Sequence, residues 1–114
     1  IYVGRLKPKY RKLIPAAIAF SLQQIGTPYD DEYLYDNGKY YCSELIYDAF
    51  LEAYKKPLFH MYPMTFKSPQ SNEFFDVWAE YYKNLKMEIP EGELGCNPGG
   101  ISTSDTLKII GTIY

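Results

Sequence analysis

The feature that most constrains the fold of this chain is an apolar stripe of helical spacing that begins at a cysteine. Apolar side chains recur at intervals of three and four residues, at Cys42, Leu45, Ile46, Ala49, Phe50 and Ala53. This spacing places all of them on one face of an α-helix. Such a helix cannot bury its stripe alone, so it needs a sheet or a second helix to pack against.

The other sequence patterns predict a single α+β domain. The predicted elements around the Cys42 helix are a strand at 2–6, a helix at 15–25, an extended segment at 58–69, a helix from Ser71 or Asn72 to residue 85, and a strand at 107–113. The first helix should bury a stripe made of Ile14, Ile18, Leu22 and Ile25. No repeat or linker divides residues 1–114, and the two terminal strands should form one antiparallel sheet on the Cys42 helix.

Composition and charge argue against several classes of protein. The formal net charge is −2 with no basic stripe, so nucleic acid is not a predicted partner. The apolar runs are too short to span a bilayer. Cys42 and Cys96 show no metal-binding spacing, so neither a metal nor a cofactor is predicted. The 13 tyrosines suit either a shallow binding cleft or a core with many edge-exposed aromatic rings.

Cys42 stands at the first turn of its predicted helix, a position with a chemical consequence. The first backbone N–H groups of a helix have no internal acceptor, so they stabilise a thiolate and can donate to a developing oxyanion. A cysteine that merely fills the core is the alternative, because free cysteines are often buried. Cys96 lies in a turn-rich segment without such a helix start and is interpreted as structural.

The residues around Cys42 resemble a known family. G-T-P-Y at residues 26–29, followed by C-S-E-L at 42–45, is similar to the NlpC-type cell-wall peptidases, which are papain-like. The longer strings G-T-P-Y-D at 26–30 and Y-Y-C-S-E-L-I-Y at 40–47 look more like the YiiX-like proteins. These resemble circularly permuted NlpC domains and are kin to lecithin–retinol acyltransferase. Y-P-M-T-F at 62–66 and I-P-E-G-E at 89–93 extend the resemblance over most of the chain.

The resemblance implies a permuted papain-like fold and assigns roles to two residues. Cys42 would be the nucleophile of a cysteine-dependent hydrolase that forms an acyl-thioester from cell-wall peptide amides or lipid-like amides and esters. Tyr29 would lie beside the thiol and donate to an oxyanion or to the substrate carbonyl; a tyrosine that only packs over the helix is the alternative. Glu44 matches a motif position, although helix capping is the favoured role. A bacterial cell-envelope or secreted location is suggested by the resemblance only.

The chain departs from the family pattern at the catalytic base. In the permuted branch a histidine precedes the cysteine, whereas the single histidine here, His60, follows it in a proline-bounded loop. His60 is therefore interpreted as a surface or packing residue. Together with the strand-like start at Ile1, this leads us to expect that upstream strands and the base lie outside the chain, leaving an exposed sheet edge open to self-association. The alternative function is a non-catalytic peptide- or lipid-binding module of the same fold.

Overall fold

The computed structural model describes residues 1–114, which form four short strands and four α-helices. In chain order the elements are β1 (Tyr2–Leu6), a 3₁₀-helix (Pro8–Leu13), α1 (Ile14–Gln23), α2 (Cys42–Tyr54), β2 (Tyr62–Pro63), α3 (Asp76–Asn84), β3 (Leu94–Gly95), α4 (Pro98–Ser102) and β4 (Leu107–Thr112). None of these helices is long and apolar enough to cross a membrane.

The terminal strands pair as predicted. β1 and β4 run antiparallel from the pair Tyr2–Thr112 to the pair Leu6–Leu107, with an irregularity between Val3 and Gly4. They form a sheet of only two strands, so each strand keeps one unpaired edge. β2 and β3 form a second, smaller antiparallel pair.

The packing of α2 differs from the prediction, because α2 packs mainly on α1 rather than on the sheet. The sheet reaches α2 through the cluster around Leu6, in which Phe50 and Leu107 also take part. Farther along the strands, a cavity of about 240 Å³ separates Ile109 from Ile46. The sheet is too narrow to cover the helix, so part of the predicted apolar stripe stays open and Ile46 is exposed.

The predicted apolar stripe of α1 is not buried. Ile18 and Ile25 are 54% and 79% exposed, whereas Ala17 is buried. Ala17 and Ala49 line the same groove between α1 and α2, and both are buried. We attribute the difference to these small side chains, which let the two helices approach closely while the longer branched side chains remain outside.

Two local predictions are corrected by turns that the sequence reading missed. Helix α3 begins at Asp76 rather than at residue 71 or 72, because Asn72 has a positive φ of 57° and belongs to a hairpin-like turn. That turn is closed by the Phe75 N–H, which donates to the Phe66 carbonyl at 3.1 Å. The segment expected to be a loop near residue 97 contains α4, whose start is capped by Asn97 accepting from the Gly100 N–H at 2.7 Å.

Candidate active site

Cys42 is the first residue of α2, and its thiol is exposed. The residue before it, Tyr41, has extended backbone geometry and accepts the Leu45 N–H at 3.1 Å. The backbone N–H groups of the first turn therefore lie next to the thiol and have no carbonyl acceptor within the helix. This arrangement places a thiol and hydrogen-bond donors at one point on the surface.

The thiol opens into an aromatic groove of about 500 Å³. Its walls come from segments far apart in the sequence and include Tyr29, Tyr33, Met64, Phe66, Trp78 and Cys96. A second cavity of about 260 Å³ also contains Cys42 and is lined by Tyr29 and Tyr40. Cys42 and Tyr29 thus border both of these cavities.

The loop before α2 holds Tyr29 beside the thiol. The Asp30 N–H donates to the Tyr40 carbonyl at 2.9 Å, which ties the tyrosine turn to the residues just ahead of Cys42. The Asp30 carboxylate is fully buried and accepts the N–H groups of Glu32 and Leu34 at 3.0 and 2.9 Å. These bonds fix the loop from inside, so the position of Tyr29 is set by its backbone.

The Tyr29 hydroxyl remains a hydrogen-bond donor at neutral pH. Partial burial, followed by the neighbouring Tyr33 hydroxyl, raises the pKa of Tyr29, while the Cys42 N–H opposes that rise. Tyr29 and Cys42 line the same two cavities. A neutral phenol and a backbone N–H so placed can both donate to an oxygen that becomes negative near the thiol.

Tyr33 has unusual backbone geometry at the edge of the groove. Its φ of 58° lies in the left-handed region, which is an outlier for a bulky side chain. The ring centroid lies 5.4 Å from that of Tyr41, 6.3 Å from that of Trp78 and 6.2 Å from that of Tyr81. Packing against three rings offsets the backbone cost and makes Tyr33 a fixed wall.

Cys96 forms another wall of the groove, and its backbone is hydrogen-bonded to the two residues that flank Cys42. The Tyr41 hydroxyl accepts the Cys96 N–H at 3.2 Å, and the Ser43 hydroxyl donates to the Cys96 carbonyl at 3.0 Å. Tyr41 and Ser43 are both buried. Burial raises the pKa of the Cys96 thiol, so Cys96 is a poorer source of thiolate at neutral pH. Its main structural contribution is the backbone that the two side chains hold.

Glu44 holds the first turn of α2 in place through hydrogen bonds of its buried carboxyl. Its side chain is fully buried and accepts the Tyr41 N–H at 3.3 Å and the Asp36 N–H at 3.0 Å. Burial raises the pKa of Glu44 to about 7, although these two N–H groups oppose the rise. The carboxyl therefore caps the helix and anchors the tyrosine-rich loop of residues 29–41 (the tyrosine loop), as the favoured structural interpretation expected.

His60 lies outside the cavities that contain Cys42. It is exposed and borders a separate cavity of about 200 Å³ beside Leu58 and Thr106. The cavities lined by Cys42 contain no histidine. The structure thus brings Cys42 and Tyr29 together and leaves the one histidine elsewhere.

A known family matches this chain over nearly its whole length. Residues 1–111 match the model of a family described as the permuted papain-like amidase enzymes YaeF/YiiX, family C92. The chain belongs to this family. A solved structure of metalloprotein YiiX from Escherichia coli O157:H7 has the same fold, with a TM-score of 0.71 and 17% sequence identity. The match covers 99% of this chain and 62% of the YiiX chain. A search of curated proteins found no match.

The family assignment confirms the predicted papain-like architecture of helices and small antiparallel sheets. The solved YiiX structure is described as a metalloprotein, so the fit of a metal to this family member can be tested on its side chains. No group of three or more His, Cys, Asp or Glu residues lies close enough to hold a metal ion.

Sequence reasoning missed most of the groove in this YaeF/YiiX family member. Tyr33, Met64, Phe66 and Trp78 all line the groove, yet none was singled out as a site residue. The high tyrosine count left open either a cleft or a core with many edge-exposed aromatic rings, and it located neither. The cluster forms only when the fold brings the loop after α1, β2 and α3 around Cys42.

Proposed function

We propose that this chain carries the nucleophile of a cysteine-dependent amide or ester hydrolase, with Cys42 as that nucleophile. The observation that carries the proposal is an exposed thiol at the start of α2, bordering a 500 Å³ groove beside Tyr29. Membership of an amidase family supports the same reaction type.

In the proposed reaction the Cys42 sulfur attacks the carbonyl carbon of an amide or ester. The carbonyl π electrons move to oxygen, and the Cys42 N–H and the Tyr29 hydroxyl donate hydrogen bonds to that oxyanion. Collapse expels the amine or alcohol, which takes up a proton, and leaves an acyl-thioester on Cys42. Water then attacks the thioester, releases the acid and restores the thiol.

The proton transfers of this reaction require a base and an acid. His60 borders a different cavity from Cys42, and no other histidine exists in the chain. We propose that the base is supplied by a group outside residues 1–114. The open apolar faces support this, because Ile18, Leu22 and Ile46 leave a surface that further chain could cover. A second copy of the chain, paired through the unpaired sheet edges, is the other possible source of such a group.

The test compares the 114-residue chain with a chain extended upstream by its natural sequence, using N-acyl anilides and the matching esters. General acid–base terms are worth about 10²–10⁴-fold, so the extended chain should be faster by that order. Cys42→Ala should abolish the gain, whereas the matched Cys96→Ala variant should retain it. Full activity in the 114 residues that His60→Ala abolishes would show that the base lies downstream.

A non-catalytic binding module is the second candidate function. The observation that favours it is the absence of histidine from the cavities around Cys42. Under this alternative the aromatic groove holds a peptide or lipid and Cys42 has no chemical role. Ligand binding that is unchanged by Cys42→Ala, with no hydrolysis by the extended chain, would select this alternative.

A further inference from the structure

The groove beside Cys42 has a lining without charged groups. Of its 15 lining residues, none is Asp, Glu, Lys, Arg or His. Its polar atoms come from hydroxyl, amide and thiol groups such as those of Ser43, Thr65 and Asn97. A carboxylate that entered would lose water without meeting a positive charge, which is costly.

The apolar part of the lining is held rigidly in place. The Phe66 ring is buried and meets the Trp78 ring edge to face, with centroids 5.2 Å apart. Met64 packs on Gly95 so closely that a Cβ at Gly95 would lie 2.5 Å from the Met64 sulfur. The Met64 side chain therefore lies directly against the backbone of β3.

We infer that this groove is the acyl-binding subsite and selects an uncharged, apolar acyl group. The inference rests on the proposed nucleophilic role of Cys42, because the group attached to the attacked carbonyl must lie in a cavity that Cys42 borders. Of the three such cavities, the groove is the largest at about 500 Å³ and falls in the size range of sites for small organic groups. Substrates that carry a carboxylate on the acyl side are disfavoured.

The experiment uses chloromethyl ketones with the 114-residue chain, because these probes need no catalytic base to report the subsite. The thiolate sulfur displaces chloride from the methylene carbon, forming a thioether and free chloride. Three probes differ only in the group on the ketone: methyl, n-heptyl, and a chain of similar length that ends in a carboxylate. The rate of Cys42 modification is followed by mass spectrometry with peptide mapping, which separates it from Cys96.

We expect the n-heptyl probe to modify Cys42 at least about tenfold faster than the methyl probe, since each buried methylene adds to binding. The carboxylate probe should be no faster than the methyl probe. Met64→Lys places a cation in the groove, so it should slow the n-heptyl probe and accelerate the carboxylate probe. The matched control is Leu94→Lys, at an exposed β3 residue that does not line the groove.

Urea unfolding verifies that the lysine variants are folded. If Met64→Lys does not fold, Tyr62→Lys replaces it, because Tyr62 is an exposed residue of the groove. Equal rates for all three probes, a preference for the carboxylate, or an n-heptyl preference that the groove variant leaves unchanged would overturn the acyl-subsite inference. A Cys42 that reacts with the methyl probe no faster than glutathione does would instead refute the nucleophile assignment. The two failures are therefore distinguishable.

Discussion

The buried Glu44 carboxyl predicts an unusual dependence of stability on pH. Burial raises the pKa of Glu44 from 4.5 to about 7, so the folded state binds a proton that the unfolded state releases between these values. The contribution is fully present below pH 4.5 and is lost as the pH rises through about 7. At about 1.4 kcal/mol per pKa unit, the loss is up to about 3 kcal/mol. Burial also raises the pKa of nearby Asp48, an effect of the same sign.

Urea unfolding followed by Trp78 fluorescence should therefore show a lower midpoint at pH 8 than at pH 5, by roughly 1–2 M for the slopes usual in small domains. Glu44→Gln should remove most of that difference, at a lower overall stability because an amide cannot accept both backbone N–H groups. Glu91→Gln is the matched control. Glu91 also accepts two donors, from Thr65 and Phe66 at 2.7 and 2.8 Å, but these donors lower its pKa.

Because the pKa of Glu91 is lowered, its contribution is constant above pH 4.5 and is lost only as the pH falls below that value. The Glu91→Gln variant should therefore keep the slope of the wild type between pH 5 and 8. A wild-type midpoint that stays flat or rises over this interval would refute the reasoning. An equal slope in the wild type and in Glu44→Gln would do the same.

Two further predictions concern residues around the site. Tyr41→Phe removes the acceptor of the Cys96 N–H. It should therefore lower the free energy of unfolding in urea by about 1–3 kcal/mol and speed Cys96 alkylation. Unchanged values would show that this bond does not hold the Cys96 segment in place. His60→Ala should change stability by less than about 0.5 kcal/mol and leave the rate of Cys42 alkylation unaltered, because His60 is exposed in another cavity; a large fall in that rate would place the histidine at the site.

The parts of the fold that could be predicted depend on local sequence. The start of α2 at Cys42 was predicted because periodicity fixes the phase of a helix, and the antiparallel pairing of β1 with β4 was also predicted. The exposure of the apolar stripe of α1 could not be predicted, because periodicity identifies the apolar face of a helix but not what covers it. The start of α3 was missed because Asn72 at positive φ continues a turn instead of capping a helix.

The candidate site divides in the same way. Cys42 and Tyr29 could be predicted because each belongs to a short local motif, the turn that ends at Tyr29 and the helix start at Cys42. In the structure the hydrogen bond from Asp30 to Tyr40 holds these two motifs together. Met64 and Trp78 carry no such signature. They reach the groove because β2 pairs with β3 and α3 folds back over the tyrosine loop, where the Tyr81 hydroxyl donates to the Asp31 carbonyl at 2.6 Å.

The burial order at the start of α2 bears on whether Cys42 is a core residue or a nucleophile. Tyr41, Ser43 and Glu44 are 3%, 2% and 0% exposed, whereas the cysteine among them faces solvent. Hydrophobicity alone would favour the reverse, with the thiol inside and the serine and glutamate in water. Each buried neighbour instead hydrogen-bonds backbone of another segment: Tyr41 and Ser43 hold Cys96, and Glu44 holds the tyrosine loop. A turn built this way keeps one thiol exposed in a fixed position, which a nucleophile requires and a core-filling cysteine does not.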